Sequence, residues 1–227
     1  LGLNDPLRLV NGACLPKKKL AGLHPALLSR AMVGLIEKAG VPTQSTQTVL
    51  RLMSGLDGRD VINLSGGARA EIGAEYVAIL RPEEVIASTP LRPSGATRTP
   101  FGTFIVRPAE PGEMGDGIHS QTLAAELLAG AAIAPWQSGD EMTPFGAKTP
   151  VRMKKLLENV EHALRRSVPV LKNEKNTLLW MPGVRPAEIC RGGDGNRVLI
   201  AFVNRFEGGF RPAAANQYFN QGEQKHE

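Results

Sequence analysis

A stretch dense in proline and glycine between residues 81 and 117 constrains the fold of this chain more than any other feature. Six prolines fall between Pro82 and Pro111, and three glycines follow before residue 118. Proline fixes φ and has no N–H to donate, and glycine is costly inside helices and strands. This composition is typical of a domain boundary. We therefore predict a linker over 81–117, interrupted by one extended strand at 102–106.

The part before the linker, residues 1–80, has the pattern of a helical domain with a small β-hairpin. Apolar residues recur at helical spacing, Pro25 suits the first turn of the first helix, and Gly40 suits its end. A Ser-Gly-Gly turn at Ser65 separates two strand-like runs. The predicted elements are two helices and two paired strands, at 21–39, 44–56, 61–64 and 68–80.

The part after the linker, residues 118–206, has the pattern of a mixed α/β domain, and residues 207–227 have the composition of a flexible tail. The whole chain is therefore predicted to be α+β, with a helical domain followed by a mixed α/β domain. Residues 118–134 are alanine-rich and favour either a partly helical segment or a short strand–helix element. The remaining elements are a helix at 151–166 and strands at 168–171, 177–181 and 198–203.

The positive charge of the chain is concentrated in one segment. The net charge is +5 and the pI about 9.4, which favours polyanionic partners only weakly. Residues 148–191 hold ten Lys/Arg against four Asp/Glu, so the other 183 residues sum to −1. Aromatic residues make up only 5% of the chain, which argues against a stacking platform of several rings for single strands.

Cysteine and histidine usage indicates no metal site and no disulfide framework. Cys14 and Cys190 are far apart in sequence, and the four histidines are scattered without ligand spacing. Reduced thiols suit a cytoplasmic protein, and no apolar run of membrane-spanning length is present. The chain opens at Leu1 rather than at Met, so we expect part of a longer protein, although a processed N-terminus would look the same.

One run of motifs suggests a surface that binds RNA. A structural turn is expected at Gly139, Asp140, Pro144 and Gly146, and the helix that follows it is rich in lysine and arginine. Cationic side chains on one face of such an element can neutralise several phosphates of a duplex. A basic helix that is merely solvated is an equally open interpretation of these residues. The candidates for phosphate contacts are Lys148, Arg152, Lys154, Lys155, Arg165 and Arg166, with Arg185 and Arg191 as weaker ones.

The order of these motifs resembles the C-terminal domain of the tRNA(Ile)-lysidine synthetases. That domain has a Gly-Asp-Arg-x-x-Pro-x-Gly turn, a lysine-rich helix, an Arg-x-x-x-Pro strand and a Trp-x-Pro-Gly strand end. Here the pieces are the turn from Gly139 to Gly146, Lys154 and Lys155, the run from Arg165 to Pro169, and Trp180-Met181-Pro182-Gly183. The resemblance covers about residues 140–190 and extends more faintly to 20–80, which is similar to the helical middle domain of the family. Glu141 stands where the family has arginine.

The resemblance implies a role in holding tRNA rather than in chemistry. Full-length enzymes of the family use ATP and Mg to activate the wobble cytidine of tRNA(Ile), and lysine then displaces AMP. That chemistry would belong to an N-terminal domain that this sequence lacks. This chain would bind tRNA(Ile), with the acceptor stem as the expected contact, and a homodimer is compatible with the family. No cofactor is expected in this chain itself.

The sequence contains no ATP loop of the kind that the family uses. Ser65-Gly66-Gly67 matches the family's Ser-Gly-Gly-x-Asp-Ser motif for three residues, but Arg69 and Ala70 replace the aspartate and the second serine. A hairpin turn is the better interpretation. The glycine-rich run 192–196 lacks the lysine of a P-loop and also favours a turn. Two alternatives stay open, namely a stand-alone RNA-binding module without ligase activity and a structural or protein-interaction domain.

Overall fold

The computed structural model describes residues 6–82, 84–192 and 195–204. It divides the chain into two compact units. Unit 1 is Leu1–Val85 together with Glu161–Ser167, and unit 2 is Ile86–Val160 together with Val168–Glu227. The predicted tail at 207–227 and part of the glycine-rich run 192–196 lie outside the described residues.

Unit 1 is a five-stranded antiparallel sheet with two long helices. The strand order is β1-β2-β5-β4-β3. The N-terminal hairpin of β1 and β2 therefore extends the three-stranded meander of β3, β4 and β5, because β2 pairs with β5. The elements in chain order are β1 (Leu7–Leu9), β2 (Gly12–Pro16), α1 (Pro25–Ala39), α2 (Thr46–Ser54), β3 (Asp60–Asn63), β4 (Arg69–Ile72) and β5 (Tyr76–Leu80).

Helices α1 and α2 lie within the predicted ranges 21–39 and 44–56, but α1 begins four residues later than predicted and α2 is two residues shorter at each end. Pro25 occupies the first turn of α1, and Gly40 ends it with a φ of +70°, a left-handed conformation that glycine adopts without strain. Ser45 caps α2, because its side chain accepts a hydrogen bond from the Thr48 amide. Apolar side chains of both helices and of the sheet meet in one core, and full burial of each large one contributes about 2 kcal/mol. Its fully buried members include Met32, Leu35, Leu52, Ile62 and Ile79.

The described residues of unit 2 form three sheets and one very short α-helix. A five-stranded sheet has the order β15-β14-β13-β10-β6, a four-stranded sheet has the order β7-β8-β16-β9, and β11 pairs with β12. The elements of this unit are β6 (Thr89–Pro90), β7 (Gly95–Arg98), β8 (Gly102–Pro108), β9 (Ser120–Ala124), β10 (Ala132–Pro135), β11 (Glu141–Met142), β12 (Val151–Arg152), α3 (Met153–Leu156), β13 (Pro169–Lys172), β14 (Leu178–Met181), β15 (Arg185–Pro186) and β16 (Arg197–Asn204).

The core of unit 2 is centred on aromatic side chains. Trp180 is fully buried and meets Phe104 edge to face, with ring centroids 6.4 Å apart. The indole Nε1 of Trp180 donates a hydrogen bond to the Gly117 carbonyl oxygen at 2.9 Å. The tryptophan of the predicted Trp-x-Pro-Gly strand end therefore anchors the loop that carries Gly117.

The predicted fold class is wrong. The described residues form sixteen strands in four sheets, and only four segments are α-helical, so neither unit is a helical domain or a mixed α/β domain. Residues 7–16 form the hairpin β1–β2, although their strands are too short to show a period-2 pattern. The predicted linker contains β6, β7 and β8. Its prolines and glycines are compatible with these strands because they fall at strand ends and turns, where they do not interrupt hydrogen-bonded ladders.

The helix predicted at 151–166 is also wrong. Its first residues form β12 and α3, and the chain then turns before a second short helix, α4 (His162–Arg165). The segment from Glu161 to Ser167 belongs to unit 1, where the Glu161 carboxylate accepts a hydrogen bond from the Glu75 amide. His162 Nδ1 lies 3.0 Å from Glu71 Oε2 on β4. These contacts with β4 and the β4–β5 turn override the local helical pattern, which carries no information about distant partners.

Candidate nucleic-acid interface

The predicted turn at 139–146 begins with a buried ion pair. Gly139 has a φ of +97°, in the region that favours glycine. Asp140 Oδ1 lies 2.8 Å from Lys172 Nζ on β13, and only about a tenth of either side chain is exposed. The other carboxylate oxygen of Asp140 accepts a hydrogen bond from the Gln137 amide at 2.7 Å. The backbone carbonyl oxygen of Asp140 accepts one from the Met153 amide at 3.0 Å. Asp140 thereby ties the turn both to a sheet and to the start of α3.

The second half of the turn packs against the segment that follows β15. Pro144 forms an isolated antiparallel bridge with Ala187, and the Gly146 amide donates a hydrogen bond to Glu188 Oε2 at 2.5 Å. Gly146 has a φ of +84°, so this residue is suited to glycine. The Phe145 amide donates to the Pro186 carbonyl at 3.0 Å. The turn is thus fixed by backbone contacts on both sides of Phe145.

The basic segment after the turn is exposed because its apolar residues are buried. Met153 and Leu157 are almost completely buried, while Lys154 and Lys155 on the same short helix are exposed. Arg152 is exposed on β12 and lies in register with Glu141 on β11. Glu141, the residue that departs from the family pattern, therefore faces a cation across the ladder, where opposite charges are favourable.

A cavity of about 880 Å³ lies within unit 2, beside the turn and the basic segment. The loops that line it surround residues 114–117, 144–147, 155–160 and 183–192, together with the start of β16. Its ionisable lining consists of four cations and two acids, so the charge of its wall is positive. These side chains are Lys155, Arg185, Arg191, Arg197, Asp116 and Glu158.

An arginine and a phenyl ring form part of the cavity wall, and a carboxylate outside the lining holds the arginine in a cluster of three side chains. The Arg191 guanidinium carbon lies 4.3 Å from the centroid of the Phe145 ring, within the range of a cation–π contact. Arg191 Nε also lies 3.0 Å from Glu188 Oε1. The Phe145 ring is still 42% exposed. The cluster therefore presents an aromatic side chain and a held guanidinium at the same wall.

Another loop that lines the cavity is organised by Asp116. Its carboxylate accepts hydrogen bonds from the amides of Ile118, His119 and Ser120 at 2.7 to 2.9 Å. Partial burial opposes ionisation, but these hydrogen bonds lower the pKa of Asp116 below its ordinary value. The carboxylate is therefore ionised at neutral pH, and most of its charge is engaged by its own loop.

Arg197, at the start of β16, lines the cavity and has one buried hydrogen-bond donor without an acceptor among the described residues. Its Nε is buried and has no hydrogen-bond partner in the part of the chain that the structure describes. A buried N–H without an acceptor is costly, and native proteins rarely leave one unsatisfied. Nothing in the sequence around Arg197, an arginine that opens a strand after a glycine-rich run, marks it as a site residue.

The structure brings some predicted site residues together and leaves others apart. Lys155, Arg185 and Arg191 line the cavity, and so do the turn residues Pro144 and Gly146. The predicted phosphate contacts that do not line it are Lys148, Arg152 and Lys154, which are exposed in unit 2, and Arg165 and Arg166, which belong to unit 1.

Neither cysteine has the environment of a nucleophile. Burial raises the pKa of Cys190 from 9.0 to about 12, and burial, with a smaller contribution from the Glu161 charge, raises that of Cys14 to about 12. Within residues 6–82, 84–192 and 195–204, no group of three or more potential ligand side chains is placed to hold a metal ion. The helices in these ranges include none that is long and apolar enough to cross a bilayer.

Comparison with known proteins gives weak structural likenesses. No protein-family model matches the chain, and no curated protein matches it. A crystal structure of the TilS C-terminal domain aligns at 18% identity with a TM-score of 0.41, over 54% of this chain and 94% of that one. An N-terminal fragment of the phenylalanyl-tRNA synthetase β-subunit from Pyrococcus horikoshii aligns at 12% identity with a TM-score of 0.35, over 82% of this chain and 66% of that one. Both TM-scores are too low to establish a common fold.

Proposed function

We propose that this chain is an RNA-binding module whose ligand is tRNA. The observation that carries the proposal is the exposed basic segment from Lys148 to Lys155, which is held on a rigid frame. The buried Asp140–Lys172 ion pair fixes its start, and the burial of Met153 directs the neighbouring lysines to solvent. Pre-ordered cations of this kind neutralise backbone phosphates with little loss of side-chain and loop entropy on binding.

The finer assignment rests on the resemblance of the sequence motifs to the tRNA(Ile)-lysidine synthetases. On that basis we infer that the chain is the tRNA-holding part of an ATP-dependent ligase and contacts the acceptor stem of tRNA(Ile). The ATP and Mg²⁺ of such a ligase would be held by another domain. A homodimer is part of the same inference, and sedimentation of the chain at several concentrations tests it.

Salt-dependent binding of labelled tRNA(Ile) tests the proposal. If about five phosphates are neutralised, the affinity falls several hundred-fold between roughly 50 and 200 mM salt. We expect the Lys154→Gln/Lys155→Gln double variant to bind more weakly at every salt concentration. The logarithmic salt slope of this variant should be smaller by about 2, roughly one for each lost phosphate contact.

The matched control is Lys18→Gln/Lys19→Gln, which removes the same charge from unit 1. Lys18 is exposed, whereas the neighbouring Lys17 donates hydrogen bonds to the carbonyl oxygens of Gly58 and Gly73 and is left unchanged. We expect tRNA affinity of the control to remain close to that of the parent chain. Equal losses in both double variants would show a non-specific charge effect, and no binding to any RNA at the lower salt would overturn the proposal.

A further inference from the structure

We propose that the cavity of unit 2 binds one unpaired nucleotide at the end of an RNA, with its phosphate on the arginines and its base on the Phe145 ring. The inference rests on the proposed function and assigns a subsite to it. The volume of about 880 Å³ lies within the range of roughly 300–1,000 Å³ that is usual for pockets that hold small ligands. A duplex backbone needs an open surface rather than a concave cavity, so the shape favours a single nucleotide.

The phosphate part of the assignment comes from the cationic wall. Lys155, Arg185 and Arg197 line the cavity with Arg191, and the acids Asp116 and Glu158 offset only half of their charge. The buried Arg197 Nε has no acceptor among the described residues. Although this Nε is inaccessible to solvent, the arginine side chains that line the cavity can donate charge-assisted hydrogen bonds to a phosphate, and such bonds are among the strong ones.

The base part of the assignment comes from Phe145. Phe145 lines the cavity and is 42% exposed, whereas Phe101 and Phe104 are almost completely buried. The turn around Gly146 and the hydrogen bond from its own amide hold it in place, so stacking on it requires little reordering. A single ring suits one base, which agrees with the low aromatic content of the chain.

Binding of two RNA probes and one free nucleotide tests the nucleotide subsite independently of the proposed RNA-binding function. The first probe is a short stem-loop with a single-stranded 3′ overhang, and the second is the same stem closed at both ends. We expect the overhang RNA to bind about tenfold more tightly, the effect of stacking one base and engaging its phosphate. Free AMP, titrated alone, should bind far more weakly than the overhang RNA, because it lacks the contacts of the stem.

Two variants test the residues. Phe145→Leu keeps an apolar side chain of similar size but removes the stacking face, and Arg197→Lys keeps the charge but removes the planar guanidinium and its several donors. Both should abolish the preference for the overhang and leave the affinity for the closed stem unchanged. Lys175→Gln, which removes an exposed cation elsewhere in unit 2, should leave the preference intact. Thermal unfolding of each variant shows whether the fold is retained.

Each outcome bears on one of the two proposals. Tight, equal binding of both RNAs by the parent chain would overturn the nucleotide subsite and leave the RNA-binding function standing. Failure of both RNAs at low salt would overturn the proposed function itself. If AMP binds as tightly as the overhang RNA, the cavity serves a free nucleotide, and the assignment to an RNA end is wrong.

Discussion

Replacing Asp140 with alanine should destabilise unit 2 more than any other single change in the turn. The carboxylate lies 2.8 Å from Lys172 Nζ, and both side chains are about nine-tenths buried. Its removal leaves a buried ammonium without a partner and deprives the Gln137 amide of its acceptor. Breaking a buried pair in this way costs about 3–5 kcal/mol, because the remaining charge is uncompensated.

Urea unfolding followed by tryptophan fluorescence measures this loss. Both tryptophans of the chain, Trp136 and Trp180, lie in unit 2, so the signal reports that unit. With a slope of about 2 kcal/mol per molar urea, a loss of about 4 kcal/mol lowers the unfolding midpoint by about 2 M. The slope itself should change little, because the substitution leaves the buried apolar surface intact.

The double variant Asp140→Ala/Lys172→Met distinguishes the loss of the ion pair from the cost of leaving the Lys172 ammonium buried without a partner. Methionine keeps the apolar stem of Lys172 without its ammonium, so most of the lost stability should return. A midpoint of the single variant within about 0.5 M of the parent chain would refute the reasoning, since it corresponds to only about 1 kcal/mol. Failure of the double variant to recover would mean that the Asp140 carboxylate acts mainly by accepting the hydrogen bond from the Gln137 amide.

Three further predictions concern groups outside this pair. Burial raises the pKa of Cys14 and Cys190 to about 12, so neither thiol should react with a disulfide reagent near neutral pH until urea unfolds the chain. Because unfolded thiols ionise near 9.0, their contribution to stability should fall as the pH rises from 9.0 to about 12, which unfolding midpoints measured across this range would show. Trp180→Phe leaves a buried carbonyl without its donor and should lower stability by at least about 1–3 kcal/mol in urea unfolding. Glu141→Arg places like charges opposite Arg152, so it should cost up to about 1 kcal/mol of stability while steepening the salt dependence of RNA binding; a flatter dependence would contradict it.

The local part of the fold of unit 1 could be predicted from the sequence. Helices α1 and α2 are long enough to show a period of 3.6, and Pro25 and Gly40 mark the ends of α1. The Ser-Gly-Gly turn joins β3 to β4, with φ of +71° at Gly66 and +72° at Gly67, in place of the phosphate-binding loop that its first three residues resemble. These signals are local, and each lies within a few residues of the element that it predicts.

The sheets could not be predicted, because their pairing is not local. Strand β16 pairs with β8 and with β9, although β9 ends at Ala124 and β8 at Pro108, far from Arg197 along the chain. Several strands contain only two or three residues, such as β6 and β15, and so few residues cannot establish a period of 2. The predominance of β-structure in this chain is therefore a consequence of contacts that periodicity does not register.

Part of the candidate site could likewise be predicted from the sequence, and part of it could not. The turn residues were predicted because glycine and proline carry their own conformational signal. The cavity was not, because its lining comes from loops around residues 114, 145, 158, 184 and 197, and only the tertiary fold makes them neighbours. Arg165 and Arg166 were grouped with the other cations on sequence proximity alone, and the structure assigns them to unit 1.

The basic surface itself follows from packing and not from the presence of RNA. Within residues 151–157, Met153 and Leu157 are buried in unit 2, and the charged side chains of Arg152, Lys154 and Lys155 are exposed. Once these two are buried, the short helix has no orientation in which Lys154 and Lys155 are covered. A chain that folds at all therefore displays these cations before any RNA arrives. Mutations of the core, rather than of the lysines, should consequently abolish RNA binding and stability together.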